Sequence, residues 1–131
     1  MILEAKVTRA GRWWAIEVPA LEAFTQARTR AGVLKMAASV VDDLAGRSLG
    51  TRAVFEGERV LISAKDTAGL VALVLRQKRH MAGLTLQQMA KKLGSSSPNS
   101  YARYEQGRAM PSVAVLDRLL RAVDGRGLVL G

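Results

Sequence analysis

Residues 83–107 read GLTLQQMAKKLGSSSPNSYARYEQG, and the spacing within this stretch decides how the C-terminal half of the chain folds. Thr85 is a suitable N-cap for a helix, because Gln88 three residues later completes a capping box. Gly94 can end that helix, and a second short helix, over about residues 99–106, follows a turn rich in serine. The stretch therefore predicts two short helices that are joined by a compact turn.

Helical periodicity continues on both sides of this stretch. Residues 68–81 are apolar and then basic, and Ser112 follows Pro111 at the start of a last helix. The apolar residues of that last helix lie on one stripe: Val115, Leu116, Leu119, Leu120 and Val123. Residues 66–131 are therefore predicted to form an all-α domain. The sequence leaves open whether residues 128–130 cap its core or form a dimerising strand.

The second short helix has two distinct sides. Tyr101 and Tyr104 lie three residues apart and are expected to face the core. The side chains left outside are small and polar, with one arginine: Ser97, Asn99, Ser100 and Arg103. Such groups can read base edges in the major groove of DNA, and Arg108 is placed to hold a phosphate. A merely solvated polar face is the alternative interpretation.

The anchor residues of this half resemble those of the lambda-repressor-like (XRE) helix-turn-helix family. They run in the order Gly83-Leu84-Thr85, Met89-Ala90, Leu93-Gly94, Tyr101, Tyr104-Glu105-Gln106-Gly107 and Pro111-Ser112. The resemblance implies DNA binding and a structural ion pair between Arg79 and Glu105. Leu86 replaces a glutamine that contacts phosphate in the family, so Gln87 is the candidate for that contact. The turn before the second short helix is one residue longer than the family pattern.

The charge distribution supports a polyanionic partner for the same half. The chain carries 20 Lys and Arg against 11 Asp and Glu, for a net charge of +9. Residues 1–66 hold ten basic and eight acidic residues, whereas residues 67–131 hold ten and three, giving +2 and +7. A small domain with this excess attracts nucleic acid through counterion release.

The first half has the alternation of β-strands around a single helix. Apolar and polar residues alternate over 3–8, and further strand-like runs cover 13–18, 24–26 and 53–64. Thr29 is a suitable cap for a helix that runs to about Ala45. Residues 1–65 are therefore predicted to be a β-β-β-α-β domain, with a possible interruption at 56–58, and the whole chain is assigned to the α+β class.

Residues 13–29 resemble the N-terminal domain of HicB antitoxins. The relevant order is Trp13-Trp14-Ala15-Ile16-Glu17-Val18-Pro19, then Phe24-Thr25-Gln26-Ala27, then Thr29 before a helix. The resemblance covers about residues 2–64 and implies a partial RNase H-like sheet. It also implies an antitoxin that neutralises a HicA-like mRNA-cleaving toxin and binds operator DNA to regulate its own operon. The chain departs from the family in its slightly basic first half and in Glu22-Ala23, where Gly-Cys is usual.

Trp13 is the candidate partner-binding residue of the first half. Neighbouring residues on a strand point to opposite faces, so if Trp14 joins the core, Trp13 lies on the open face. An exposed tryptophan on a small sheet suggests an interface with the toxin or with a second copy of this chain. The alternative is that Trp13 packs only against its own loop.

Catalysis is not expected of this sequence. Glu4 and Glu17 occupy outward strand positions, Asp42 and Asp43 diverge on a helix, and the lone histidine, His80, has no partner for a dyad. There is no cysteine and no apolar run of membrane-spanning length. We therefore expect a cytoplasmic protein without cofactor or metal, as a homodimer or higher homo-oligomer. The alternatives are a stand-alone regulator whose first half dimerises or senses a ligand, and an RNA-processing enzyme.

Overall fold

The computed structural model describes residues 1–129, which divide into two compact units, Met1–Leu70 and a second unit that starts at Val71. The sequence-based division lies between residues 65 and 66, so the observed boundary falls slightly later, inside a helix. None of the helices among the described residues is long and apolar enough to cross a membrane.

The first unit, here called the sheet unit, is a five-stranded antiparallel sheet with one helix. Its elements are β1 (Leu3–Ala10), β2 (Trp13–Val18), a 3-10 turn (Pro19–Leu21), β3 (Ala23–Ala27), α1 (Arg30–Ala45), β4 (Thr51–Glu56) and β5 (Arg59–Ala64). The strand order across the sheet is β3-β2-β1-β5-β4. The N-terminal strand β1 is therefore central, pairing with β2 on one side and with β5 on the other.

One face of this sheet is covered by α1, which buries Val33, Ala37 and Val41. The Thr29 hydroxyl accepts a hydrogen bond from the Gly32 N–H, so the predicted N-cap of this helix is confirmed. The core of the unit consists of the inward residues of the strands together with the apolar residues of the helix and its loops: Leu3, Ala5, Ile16, Val18, Leu21, Val33, Ala37, Val41, Leu49, Val60 and Ile62. The opposite face of the sheet is open to solvent.

The predicted single strand over residues 53–64 is wrong: the segment is a hairpin of β4 and β5, so the unit is β-β-β-α-β-β. Glu56 pairs with Arg59, and Gly57 lies in the turn between them with a φ of 62°. Glycine adopts this left-handed conformation without steric cost, so the chain can reverse at the position that the sequence marks as an interruption.

The second unit, here called the helical unit, contains the end of α2 (Thr67–Met81) followed by α3 (Leu86–Lys92), α4 (Asn99–Glu105) and α5 (Val113–Asp124). Ser112 caps α5 by accepting a hydrogen bond from the Val115 N–H. The predicted helices are confirmed to within one residue at each end. The buried core of the unit draws on all four helices: Val71, Leu75, Met89, Tyr101, Leu119, Leu120 and Val123.

The segment after α5 folds back onto this core. Leu128 packs against the core, and its N–H donates to Asp117 Oδ1 at 2.9 Å. Gly127 adopts a φ of 84° and lies so close to Asp117 that a Cβ there would be 2.5 Å from Oδ1. Leu128 thus caps the helical core, while Val129 is exposed and Leu130 lies outside the described residues.

Candidate nucleic-acid interface

The start of α3 is fixed by reciprocal hydrogen bonds between Thr85 and Gln88. The Gln88 N–H donates to the Thr85 hydroxyl at 3.1 Å, and the Thr85 N–H donates to the Gln88 side-chain oxygen at 2.8 Å. Met89 and Ala90 are buried on the other side of the helix. Since Gln88 is engaged in the cap, the exposed Gln87 beside it is the glutamine that is left to face a ligand.

The two sides of α4 differ sharply in exposure. Tyr101 is 2% exposed in the core, and Tyr104 packs against the same cluster. Asn99, Ser100 and Arg103 are all exposed on the outward side. Seven residues of helix thus carry two aromatic anchors on one side and Asn99 and Arg103 on the other, while Ser100 is exposed at the border and lines a cleft together with the tyrosines.

Ser97 lies apart from the other three polar residues. It is half-buried, its carbonyl accepts from the Ser95 hydroxyl at 2.9 Å, and its hydroxyl accepts from the Asn99 N–H at 3.3 Å. These bonds place Ser97 in the turn that starts α4. Its hydroxyl is therefore partly committed to the fold, in contrast to the exposed groups that follow it.

The end of α4 adds one residue, Gln106, that the sequence places among the anchors of the motif but not among the DNA contacts. Gln106 is exposed directly after the helix and lies three residues after Arg103, so both point to the same side. The spacing of Asn99, Arg103 and Gln106 at i, i+4 and i+7 is the signal that could have identified it. Arg108 is exposed just beyond, and its N–H donates to the Arg103 carbonyl at 3.0 Å, which ties its position to α4.

A buried ion pair holds α4 against α2. Arg79 donates to Glu105 through two parallel bonds, Nε to Oε2 at 2.7 Å and Nη2 to Oε1 at 2.9 Å, and the two side chains are 10% and 7% exposed. Arg79 Nη1 also donates to the Leu84 carbonyl at 2.8 Å, in the loop before α3. The hydrogen bonds to Glu105 raise the pKa of Arg79 above its ordinary value. One guanidinium therefore links α2, the α2–α3 loop and α4.

The Tyr101 hydroxyl is buried beside this pair and has no hydrogen-bond partner among the described residues. Burial is the main cause that raises the pKa of Tyr101 well above its ordinary value, so the phenol stays neutral. Its ring packs in the core of the helical unit and is inaccessible to a base.

The open face of the sheet unit carries exposed aromatic rings. Trp13 is 38% exposed at the start of β2, and the Arg28 guanidinium lies over its ring at 5.2 Å from the centroid. Phe24 on β3 is 71% exposed on the same face, because it pairs with Glu17 rather than with an inward residue. Trp14 points the other way and is half-buried on the side of α1.

Comparison with known protein families matches residues 70–126 to a family of helix-turn-helix domains. The matched segment runs from α2 to just beyond α5 and includes every element that positions α4. Comparison of the chain with curated proteins gives no match. The C-terminal part of this chain is thus a helix-turn-helix domain.

Proposed function

We propose that this protein is a sequence-specific DNA-binding regulator that inserts α4 of its helix-turn-helix domain into the major groove of operator DNA. The observation that carries the proposal is the two-sidedness of α4, with Tyr101 buried and Asn99, Ser100 and Arg103 exposed. An amide side chain can form two hydrogen bonds to the edge of adenine, and a guanidinium group can form two to the edge of guanine. Each such two-bond contact favours the correct base over a wrong one by about 1–3 kcal/mol.

One arginine and one glutamine close to α4 support the same function. Arg108 is exposed beyond the end of α4 and Gln87 at the start of α3, where they can bond phosphates on either side of a groove. The excess of ten basic over three acidic residues in 67–131 adds attraction that does not depend on base sequence. We further propose that the protein acts as a homodimer or higher homo-oligomer, so that its operator contains two half-sites about one helical turn apart.

Gel-shift titration with the DNA upstream of the protein's own reading frame tests this proposal. Arg103→Ala should weaken specific binding by about tenfold or more, and Arg108→Ala should weaken binding to all sequences alike. Arg121→Ala is the matched control, because Arg121 is an exposed arginine of the same unit that is paired with Asp117 on α5. Wild-type affinity in both the Arg103 and the Arg108 variant would refute the placement of the site.

We propose, as the more specific function, that the sheet unit is a HicB-like antitoxin domain with a partial RNase H-like sheet, which neutralises a HicA-like mRNA-cleaving toxin. The resemblance of residues 13–29 supports this assignment. The exposed rings of Trp13 and Phe24 on the open sheet face support it as well, since exposed aromatic side chains are enriched at protein interfaces. Operator binding by the helical unit would then regulate the operon that encodes both proteins.

Coexpression with the small protein encoded next to this chain tests the antitoxin proposal. Trp13→Ala and Phe24→Ala should each reduce rescue of toxin-arrested cells and recovery of the complex in a pull-down. Val113→Ala serves as control, because Val113 is an exposed apolar residue of the helical unit. If no toxin is encoded there, or both variants rescue normally, the protein is better described as a stand-alone regulator whose sheet unit dimerises or senses a ligand.

We also propose that the protein is not an enzyme, because two of the carboxylates that the sheet unit could offer for catalysis, Asp42 and Glu4, are engaged structurally. Asp42 accepts from the Leu49 N–H and the Thr51 hydroxyl, and Glu4 forms an exposed ion pair with Arg59. Purified protein should therefore cleave neither RNA nor DNA when Mg²⁺ or Mn²⁺ is added. Metal-dependent cleavage that persists after Asp42→Asn would argue for contamination, whereas its loss in that variant would argue for catalysis.

A further inference from the structure

Four arginines gather at one end of the sheet unit, and the function proposed above uses none of them. Arg9 lies near the end of β1 and Arg12 in the turn to β2, while Arg28 and Arg30 flank the start of α1. The strand register brings them together, because Arg9 pairs with Trp14 and Trp14 pairs in turn with Ala27. The β1–β2 turn and the β3–α1 connection therefore lie side by side at the same end of the sheet.

These four arginines keep their charge available. All four are exposed, and within residues 1–129 none of them takes part in an ion pair. Arg9 is steadied by a hydrogen bond from its Nε to the Gly11 carbonyl at 2.9 Å. The acidic residues of the neighbouring β4–β5 hairpin are Glu56, which is bound to Arg59, and Glu58. The end of the sheet is therefore strongly cationic.

Aromatic rings alternate with these cations. Guanidinium groups lie over the rings of Trp14, Trp13 and Phe55 at 5.0, 5.2 and 3.9 Å from the centroids, contributed by Arg9, Arg28 and Arg30 respectively. A guanidinium group can itself stack on a planar group, so arginines beside these rings enlarge the surface that an unpaired base can contact.

Two clefts open beside these rings. One, of about 390 Å³, is lined by Val7, Trp14, Arg30, Phe55, Gly57 and Glu58. The other, of about 360 Å³, is lined by Arg12, Trp13 and Arg28. Since Trp13 and Trp14 point to opposite faces of the sheet, the clefts lie on either side of the same strand end.

We propose that this end of the sheet unit, defined by Arg9, Arg12, Arg28, Arg30 and the two tryptophans, binds single-stranded nucleic acid. Bases in a duplex are stacked on each other and cannot reach an aromatic ring, whereas unpaired bases can stack on tryptophan or on an arginine plane. The arginines hold the phosphates between those bases. The two clefts accept successive nucleotides, one on each side of the strand end.

The intrinsic fluorescence of the protein offers a direct test. Both tryptophans of the chain lie in this site, so quenching of tryptophan emission reports on it alone and not on the helical unit. Titration of the full-length protein with 12-nucleotide oligouridylate or oligothymidylate should give saturable quenching. The logarithm of affinity should fall with the logarithm of salt concentration with a slope of about −2 to −3, as expected for three or four phosphates. Comparison of the two oligomers distinguishes RNA from DNA as the ligand.

Two pairs of charge-removing variants separate this site from general attraction to a cationic protein. Arg12→Gln combined with Arg28→Gln should lower the affinity for the oligomer, measured by quenching, about tenfold, because both cations of the second cleft are lost. Arg52→Gln with Lys35→Gln removes the same charge from exposed positions elsewhere on the sheet unit and should weaken it less than twofold. Circular dichroism should show that both double variants stay folded.

Three outcomes would overturn the proposal. Absence of quenching while the anisotropy of a labelled oligomer rises would place binding in the helical unit. Equal losses of affinity in the two double variants would show that binding depends only on the net charge of the protein. Equal quenching by a poly-glutamate peptide would show that the site takes an acidic protein segment instead of unpaired bases.

Discussion

The helical and sheet units use the same kind of ion pair in opposite ways. In the helical unit, Arg79 and Glu105 are 10% and 7% exposed and join α4 to α2. In the sheet unit, Arg59 and Glu4 are 49% and 60% exposed and bridge two strands that are already hydrogen-bonded to each other. Burial makes the first pair costly to break, because a lone charge would remain in a low-dielectric site. The second pair is screened by water and contributes little. The two pairs have the same chemistry, so their burial determines how much each stabilises the fold.

The largest expected effect comes from breaking the buried pair. Glu105→Gln should destabilise the helical unit by about 3 kcal/mol, because it leaves Arg79 buried without its counter-charge. Urea denaturation followed by circular dichroism measures the change, and operator affinity should fall along with stability. Glu4→Gln, the equivalent change in the exposed pair, should leave the urea midpoint unchanged.

If Glu105→Gln fails to fold, a double variant keeps the comparison testable. Arg79→Met combined with Glu105→Leu removes both charges and should recover most of the lost stability, since no lone ion remains. A double variant as unstable as the single one would show that the hydrogen bonds to Glu105 and Leu84 matter more than charge balance.

The contact between Gly127 and Asp117 should contribute an intermediate amount to the stability of the fold. Gly127→Ala places a side chain, in a left-handed conformation, against Asp117 Oδ1, so the hydrogen bond that the Leu128 N–H donates to Asp117 is lost. We expect a loss of about 2 kcal/mol, from backbone strain and one hydrogen bond. Gly94→Ala is the control, because Gly94 has a φ of 75° but no atom within 4 Å of its Cβ position. Equal losses in the two variants would show that only strain matters.

The smallest effect is expected at Asp66, which caps α2 by accepting from the Gly69 N–H at 2.8 Å and pairs with Arg47 at 2.7 Å. The Gly69 hydrogen bond, and then Arg47, lower the pKa of Asp66 below its ordinary value of 3.8. The carboxylate therefore stabilises the fold at pH values above that ordinary value, and the contribution disappears as pH falls through the lower, folded-state pKa.

Asp66→Asn should accordingly cost about 1 kcal/mol or less at pH 7, since the pair is partly screened. The gap between wild type and variant should narrow as the pH falls below 3.8. Thermal denaturation over a series of pH values measures this gap. A gap that stays constant down to the lowest accessible pH would mean that the charge of Asp66 contributes nothing to folding.

The accuracy of the sequence-based predictions differs between the two units for a physical reason. Caps such as Thr85 and Gln88 act over three residues, so the local sequence specifies where each helix of the helical unit begins and ends. In the sheet unit, the turn at Gly57 divides one strand-like run into two strands. Periodicity does not separate these alternatives, because a long strand and a tight hairpin share the same alternation.

In the candidate site, too, some features follow from the local sequence and others do not. Helical spacing alone separates the inward Tyr101 from the outward Asn99 and Arg103. The commitment of Ser97 to the turn before α4 depends on the hydrogen bonds within that turn. Single-sequence patterns do not specify the geometry of that turn.

By itself, the sequence determined the α+β class, the helix limits, the two sides of α4 and the opposite directions of Trp13 and Trp14, since each follows from spacing along a regular element. Only the tertiary structure decided that the Leu128 N–H, near the end of the chain, donates a hydrogen bond to the Asp117 side chain. It also decided that four arginines separated in sequence meet at one end of the sheet. Such meetings depend on strand register and on packing between distant segments, which are properties of the folded chain as a whole.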